Sequence, residues 1–298
     1  MVSIIILSRG RCGLSRCITY YLLATAMTDF VVIIFAVIIN RISGIYFRYS
    51  SLSTTPACRL IITIIFAVRD ASVWLTVAFT IDRSMAICCQ SLKISYCTEK
   101  TALLVIGIVC ALCSLKNIPF YFYSQPLYVL DGVSWFCDIK SSYYTAPLWQ
   151  VYDMLEQILT PFLPFFLILL LNAITIRHIL ASSRARKRLR GADTQGDQEM
   201  TNRRRSIFLL FAISLSFLLL WATYVGRFLY VRVSGAGYFS GLNFSDPQYI
   251  LQEMAIMLTL FSSCNNVFIY ALSQTTFREE IKKILMCPFA SIIGHFKC

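Results

Sequence analysis

The stretch TIDRSMAICCQSLK, residues 80–93, sets an acid and an arginine side by side, Asp82 and Arg83, at the end of the apolar run FAVRDASVWLTVAF, residues 66–79. Ionisable groups are expensive in apolar surroundings, and those retained there usually serve a function. Outward from this pair the composition keeps the same character. The chain of 298 residues is 57% hydrophobic and 14% charged, with a mean hydropathy of +0.67. Soluble domains are about a quarter charged. Apolar stretches that recur over most of the length would leave too much apolar surface facing water, so lipid is the solvent this composition implies.

Six segments approach the roughly 20 apolar residues that a helix needs to cross the hydrocarbon core. They are 18–39, 60–81, 101–123, 151–176, 207–230 and 250–272, separated by connections rich in Gly, Ser, Pro and charge. Ahead of them lies MVSIIIL, residues 1–7, which is apolar but too short to cross. It lacks the charged start, long apolar centre and cleavage site of a signal peptide. It reads as the stump of a seventh span whose outer part is missing.

Orientation follows from where lysine and arginine fall. Counted from the stump, one set of alternate connections with the tail holds nineteen of them, and the other set holds seven. The richer side is cytoplasmic by the positive-inside rule. The net charge of +12 is then explained by topology and anionic lipid, and no nucleic acid is needed. The triplet Asn243-Phe244-Ser245 is a glycosylation acceptor on the outer side. Most of the twelve cysteines fall within spans or on the cytosolic side, where thiols stay reduced. Cys58 and Cys137 are both extracellular by this topology, and a disulfide tying the long 116–150 loop to the third helix suits that compartment. Cys110 and Cys113 have CxxC spacing, but they lie in an apolar span with no histidine near.

With this topology the chain resembles the rhodopsin-like (class A) G-protein-coupled receptors from stump to tail. Asp82-Arg83-Ser84 is similar to the family's Asp-Arg-Tyr triplet, and Cys58 stands 25 residues before Arg83, as the family's disulfide cysteine does. In LLATAMTDF, Asp29 takes the place of the family's mid-membrane acid. Phe217 and Trp221 match the Phe and toggle Trp of the sixth span, and Asn266-Val267-Phe268-Ile269-Tyr270 resembles the Asn-Pro-x-x-Tyr ending. A short amphipathic helix over 274–286 follows. The resemblance implies an all-α membrane protein, a seven-transmembrane helix bundle with the first helix largely missing, forming one receptor domain over 1–298. Within the family, AICCQSLK and LPFFLILLLNAITI are similar to orphan receptors related to those that sense aromatic amino acids.

Departures are as visible as matches. Ser84 replaces the triplet's Tyr, Thr223 and Val267 replace the prolines of the sixth and seventh spans, and Asn172 stands where the family usually has Tyr. Losing a proline restores an amide donor and removes a cause of kinking. Without a tyrosine ring at Ser84, packing around the Asp82-Arg83 pair is expected to be looser.

The resemblance also implies roles. Asp82, Arg83, Phe217, Trp221, Asn266 and Tyr270 would carry activation and G-protein coupling. Asp29 with Ser72, Ser262, Ser263 and Asn266 would form an oxygen-rich pocket for a sodium ion, the one cofactor implied. The alternative is a buried, hydrogen-bonded or protonated acid without an ion. Arg69 and Asp70 lie in the outer half of the third span and point about 100° apart. Arg69 with Arg227 and Glu253 would make a polar pocket of both signs, walled by Tyr152, Glu156, Tyr224 and Phe228. Such a site suits a small ligand with a carboxylate and an aromatic group, or a peptide terminus, because an arginine fork matches a carboxylate. An Arg69–Glu253 pair that only staples helices is the competing reading.

The two histidines, His178 and His295, both fall on the cytoplasmic side, and no paired-carboxylate, Ser-His-Asp or phosphate-loop arrangement stands out, so the chain is not read as an enzyme. Cys287 is a candidate acylation site. The expectation is a multi-pass plasma-membrane receptor whose partners are a heterotrimeric G protein, an extracellular ligand and membrane lipid. A non-signalling fragment and a transporter are the alternatives, the latter disfavoured because the spans show no repeat of halves.

Overall fold

The computed structural model describes residues 1–9, 15–89, 96–189, 197–234, 245–273 and 277–283. Among these, six helices are long and apolar enough to cross a membrane. We number the helices as follows: α1 Val2–Ser8, α2 Arg16–Tyr46, α3 Thr55–Cys88, α4 Glu99–Tyr121 and α5, which runs as Pro147–Gln157, Ile158–Phe162 and Leu163–Leu189. Then come α6 Asp197–Ser234, α7 Pro247–Ser273 and α8 over 277–283.

Five of the six long helices run past the apolar segments at both ends, while α4 ends at Tyr121 inside its segment. The third span read as 60–81 is the middle of a helix of 34 residues, about 51 Å long at 1.5 Å per residue. A hydropathy window finds only the part that faces hydrocarbon. The backbone keeps its internal hydrogen bonds into the headgroup region and beyond. Local chemistry marks the starts. Pro56 occupies the first turn of α3, where its missing N–H is no loss, and the Thr98 hydroxyl accepts from Thr101 N at 3.2 Å to cap α4, with Glu99 in its first turn. Among the described residues three helices depart from regular α geometry, and one of them, α4, ends in a 3₁₀ turn over Ile118–Tyr121. In α2, Ile33–Ser43 is π-helical, and in α5, Thr160 has non-helical dihedrals beside Pro161.

The helix α3 is central, in contact with α2, α4, α5 and α6, while α6 and α7 pack on each other along their length. The polar groups are inside. Asp29, Asp70, Asp82, Arg83, Asn117, Glu156 and Arg227 are all buried, whereas Leu104, Leu112 and Leu115 on α4 are exposed. This inversion is what lipid demands, since the hydrocarbon gives apolar side chains no reason to turn inward and gives charges no partner. The inner core gathers Ile6 and Leu7 of α1 with Tyr21, Phe79, Leu209, Leu210, Tyr270 and Phe277. Phe277 of α8 packs edge-on to Tyr270 at 5.9 Å.

The loop between α4 and α5 carries two short antiparallel ribbons. The strands β1 Ser124–Gln125 and β4 Asp138–Ile139 pair antiparallel, as do β2 Tyr128–Leu130 and β3 Val133–Trp135. The turn of the inner hairpin is Asp131-Gly132, both at positive φ (51° and 76°), the conformation that favours Asp-Gly in two-residue hairpins. The Cys58–Cys137 disulfide joins this lid to the first turn of α3, with Cα atoms 6.1 Å apart. Phe136 N donates to Ser53 O at 2.7 Å, and Thr55 Oγ1 to Phe136 O at 2.7 Å, so the same corner is held three times.

Candidate ligand cavity and signalling core

Beneath the lid, α2, α3, α5, α6 and α7, with Phe120 at the end of α4, border a cavity of about 310 Å³. That volume lies at the lower end of small-molecule sites. Its aromatic wall includes Phe66, Phe120, Tyr123 and Tyr224, and its charged groups are Arg41, Arg69, Asp153, Glu156 and Arg227. Of the eight residues expected to bind ligand, Arg69, Glu156, Tyr224 and Arg227 line this space. Asp70, Tyr152, Phe228 and Glu253 do not.

Each departure has a physical reason. Asp70 follows Arg69 on a helix and so points about 100° away, into α4. There it accepts from Lys116 Nζ at 2.7 Å and Asn117 Nδ2 at 2.7 Å, with no measurable exposure. Lys116 also donates to Glu156 Oε2 at 2.5 Å, so one lysine joins carboxylates from α3 and α5. Tyr152 backs the wall from behind, its hydroxyl donating to Lys116 O at 2.7 Å and its ring 5.2 Å from Phe120. Phe228 packs against Phe162 at 6.0 Å and under the Arg232 guanidinium at 5.5 Å. Glu253 pairs with Arg41 at 2.8 Å, so the anticipated Arg69–Glu253 staple is replaced by one between α2 and α7. Arg69 lies over the Phe66 ring at 4.7 Å. Asp153 accepts from the Tyr143 hydroxyl at 2.9 Å, and burial next to this carboxylate pushes the phenol above its ordinary range.

Deeper in the bundle, Phe217 and Trp221 stack with centroids 5.3 Å apart and planes 25° from parallel. They border a second cavity of about 20 Å³, lined also by Ser72, Thr76, Ser262, Ser263 and Asn266. The Asp29 carboxylate accepts from Ser72 Oγ at 2.6 Å and from Asn266 Nδ2 at 2.7 Å, with Ser263 as a further hydrogen-bond partner. The space has room for about one water-sized particle and is bordered by the hydroxyls of Ser72, Thr76, Thr259, Ser262 and Ser263 and also by Arg69, while Asp29 is bonded to two of its lining residues and does not itself line it.

At the inner end of α3, Arg83 Nε donates to Asp82 Oδ2 at 2.9 Å, and both residues are buried. Asp82 also accepts from Cys17 Sγ at 3.4 Å on α2, and its carbonyl from Cys97 Sγ at 3.7 Å. The looser packing expected at Ser84 is not found. Its hydroxyl is hydrogen-bonded to that of Thr175 on α5 at 3.0 Å, and the two residues are 5% and 0% exposed. With no ring at position 84, α5 fills the space through a small polar pair.

Sequence reasoning missed Arg41, Lys116, Thr175 and Gln252. Lys116 carried a legible signal, a cation at the outer end of an apolar span, which lipid makes expensive without a partner. The other three carry none, because nothing local tells which helix a side chain will meet. Asn243, Cys287 and His295 lie outside the described residues.

The combination of a lidded outer cavity, a stacked Phe–Trp pair and a buried Asp-Arg pair on one central helix now has an independent counterpart. The family model of the seven-transmembrane receptors of the rhodopsin family matches residues 1–270. The chain belongs to the rhodopsin family of seven-transmembrane receptors. Receptors of this family are non-enzymatic, and the chain is accordingly a multi-pass plasma-membrane protein and not an enzyme. Among curated proteins, it is 23% identical over 239 residues to galanin receptor 2a of Danio rerio, covering 78% of this chain and 59% of that receptor. It is 22% identical over 227 residues to galanin receptor type 2 of Rattus norvegicus, covering 76% and 56%. The chain thus spans somewhat more than half the length of these relatives.

Proposed function

We propose that the chain binds an extracellular ligand in the outer cavity and converts that binding into activation of a heterotrimeric G protein at its cytoplasmic face. One observation carries the reading. The helix that offers Arg69 to the cavity also holds the buried Asp82-Arg83 pair at its inner end, about 20 Å away. A ligand shifts such a bundle only through differential affinity for its arrangements, and α3, together with the stacked Phe217 and Trp221, links the two ends where that difference would be felt. The cavity's aromatic walls and arginines suit a ligand with an aromatic group beside a carboxylate, and the galanin receptors among its relatives favour a peptide. A sodium ion would need the Asp29 carboxylate to turn toward the space that Ser72, Ser262 and Ser263 line, and its charge would then favour the arrangement in which these oxygens converge.

The experiment is nucleotide exchange on purified G proteins with the chain in lipid nanodiscs. Arg83→Ala is expected to lower ligand-free and ligand-stimulated exchange to background while surface expression is kept. Exchange at the parent rate would overturn the mechanism. Sodium is tested separately: thermal stability of the parent should rise with sodium relative to potassium, and Asp29→Asn should remove the difference.

A further inference from the structure

Two arginines of the outer cavity are held from the same turn of α7 by different chemistry. Arg41 Nη1 donates to Glu253 Oε2 at 2.8 Å, charge against charge. Arg227 Nη2 donates to Gln252 Oε1 at 2.8 Å, and this partner is neutral. Gln252 lines the cavity beside Arg227, whereas Glu253 does not. A carboxylate that enters has little to gain at Arg41, where it would only replace another carboxylate. At Arg227 it replaces an amide oxygen, and it can take the guanidinium fork with two parallel bonds where the amide takes one. Arg227 is 7% exposed, so the exchange occurs where water screens little. Phe66, Phe120 and Tyr224 line the same space and offer surfaces for a ring attached to the carboxylate.

The bond that gives way joins α6 to α7. A second side-chain bond joins these helices deeper, where Asn265 Nδ2 donates to Ser216 Oγ at 2.6 Å. Trp221 lies between the two on α6, about 9 Å along the axis from Arg227 and about 8 Å from Ser216. Releasing the outer bond while the inner one holds leaves the Ser216–Asn265 contact as a pivot, with Trp221 close to it.

We infer that Arg227 reads a carboxylate adjoining an aromatic ring, and that it does so by exchanging Gln252 for the ligand, which unties the outer ends of α6 and α7. This rests on the proposed ligand cavity and names the group that the cavity recognises. The same chemistry is presented by a small aromatic acid and by the C-terminus of a peptide ending in an aromatic residue.

The test uses the full chain in nanodiscs and four probes: phenylacetate, phenylacetamide, the peptide Gly-Gly-Phe with a free carboxylate, and its C-terminal amide. In the parent, at least one acid should bind about tenfold or more tightly than its amide, the size expected for one charged hydrogen bond. Which acid shows the preference identifies the source. Gln252→Glu keeps the shape but gives Arg227 a carboxylate of its own, and it should abolish the acid preference. Arg227→Ala should abolish it as well, and Arg227→Lys should restore part of it. Spin labels on the outer ends of α6 and α7 should move apart with the preferred acid and stay with its amide. Equal binding of acid and amide in the parent, or an acid preference that survives Gln252→Glu, overturns the exchange but leaves the cavity reading standing. Binding of no probe at millimolar concentration overturns both.

Discussion

In the outer half of the bundle Arg69, Arg227 and Glu156 border about 310 Å³ of open space, whereas in the inner half Asp82, Arg83 and Ser84 are packed to 3%, 6% and 5% exposure. The two regions solve the problem of charge in a membrane differently. Outside, charges are shared between helices: Lys116 from α4 with Asp70 of α3 and Glu156 of α5, Arg41 of α2 with Glu253 of α7, Arg227 of α6 with Gln252 of α7. Inside, the central pair closes within α3 itself, with the Cys17 thiol of α2 on the Asp82 carboxylate, the Cys97 thiol on the Asp82 carbonyl, and Thr175 of α5 on the neighbouring Ser84. Inter-helix partners can be exchanged when something enters the cavity. A pair closed on one helix changes only when its surroundings open. On the proposed function, the outer region is where a ligand would act and the inner pair is what its binding would have to open.

The largest effect expected on the outer side is at Lys116. Lys116→Met leaves two buried carboxylates without their cation and should cost about 3–5 kcal/mol, seen as a large fall in the thermal midpoint. Adding Asp70→Asn and Glu156→Gln should recover much of the loss. If Lys116→Met alone is as stable as the parent, the charge network does not hold α3, α4 and α5 together. Next is the lid. Cys58→Ser opens a crosslink between positions 79 residues apart and should cost about 2–5 kcal/mol, with binding in the outer cavity weakened more than stability of the inner core. An unchanged midpoint and unchanged binding would show that the backbone bonds of Ser53 and Thr55 to Phe136 suffice. The smallest change concerns the inner side. Thr175→Val removes one buried hydroxyl pair and should cost about 1 kcal/mol, with a shift in ligand-free G-protein activation. Ser84→Tyr should shift it too, by forcing a ring against Thr175. Parent-like basal activity in both variants would make this contact silent.

Much of the architecture was legible in single residues. Long apolar runs separated by charge announce helices in lipid, because a spanning backbone must satisfy its own hydrogen bonds. Cys58 and Cys137 could be paired because the topology leaves them on one side of the membrane. Arg69 and Asp70 could be separated because consecutive helical residues diverge. What could not be read was which helix each polar group would meet. Glu253 lies as open to Arg69 as to Arg41 in a linear chain, and nothing around Ser84 announces Thr175, 91 residues away. The π-helical turn of α2, which carries Asn40 and Arg41 to the cavity wall, has no signature in a run of Ile and Val.

By itself, then, the sequence determined that this chain lives in lipid, how many long helices it has, which side is basic, and that its few intramembrane charges matter. Those properties follow from solvation, which acts on each residue according to its own chemistry. Only the tertiary structure decided that Asp70 staples while Arg69 faces the cavity, that Glu253 serves Arg41, and that Asp82 and Arg83 close on each other beneath a Ser84–Thr175 contact. Pairing depends on helix rotation and register, which are set by the packing of the helices against one another and are written in no single stretch of the chain.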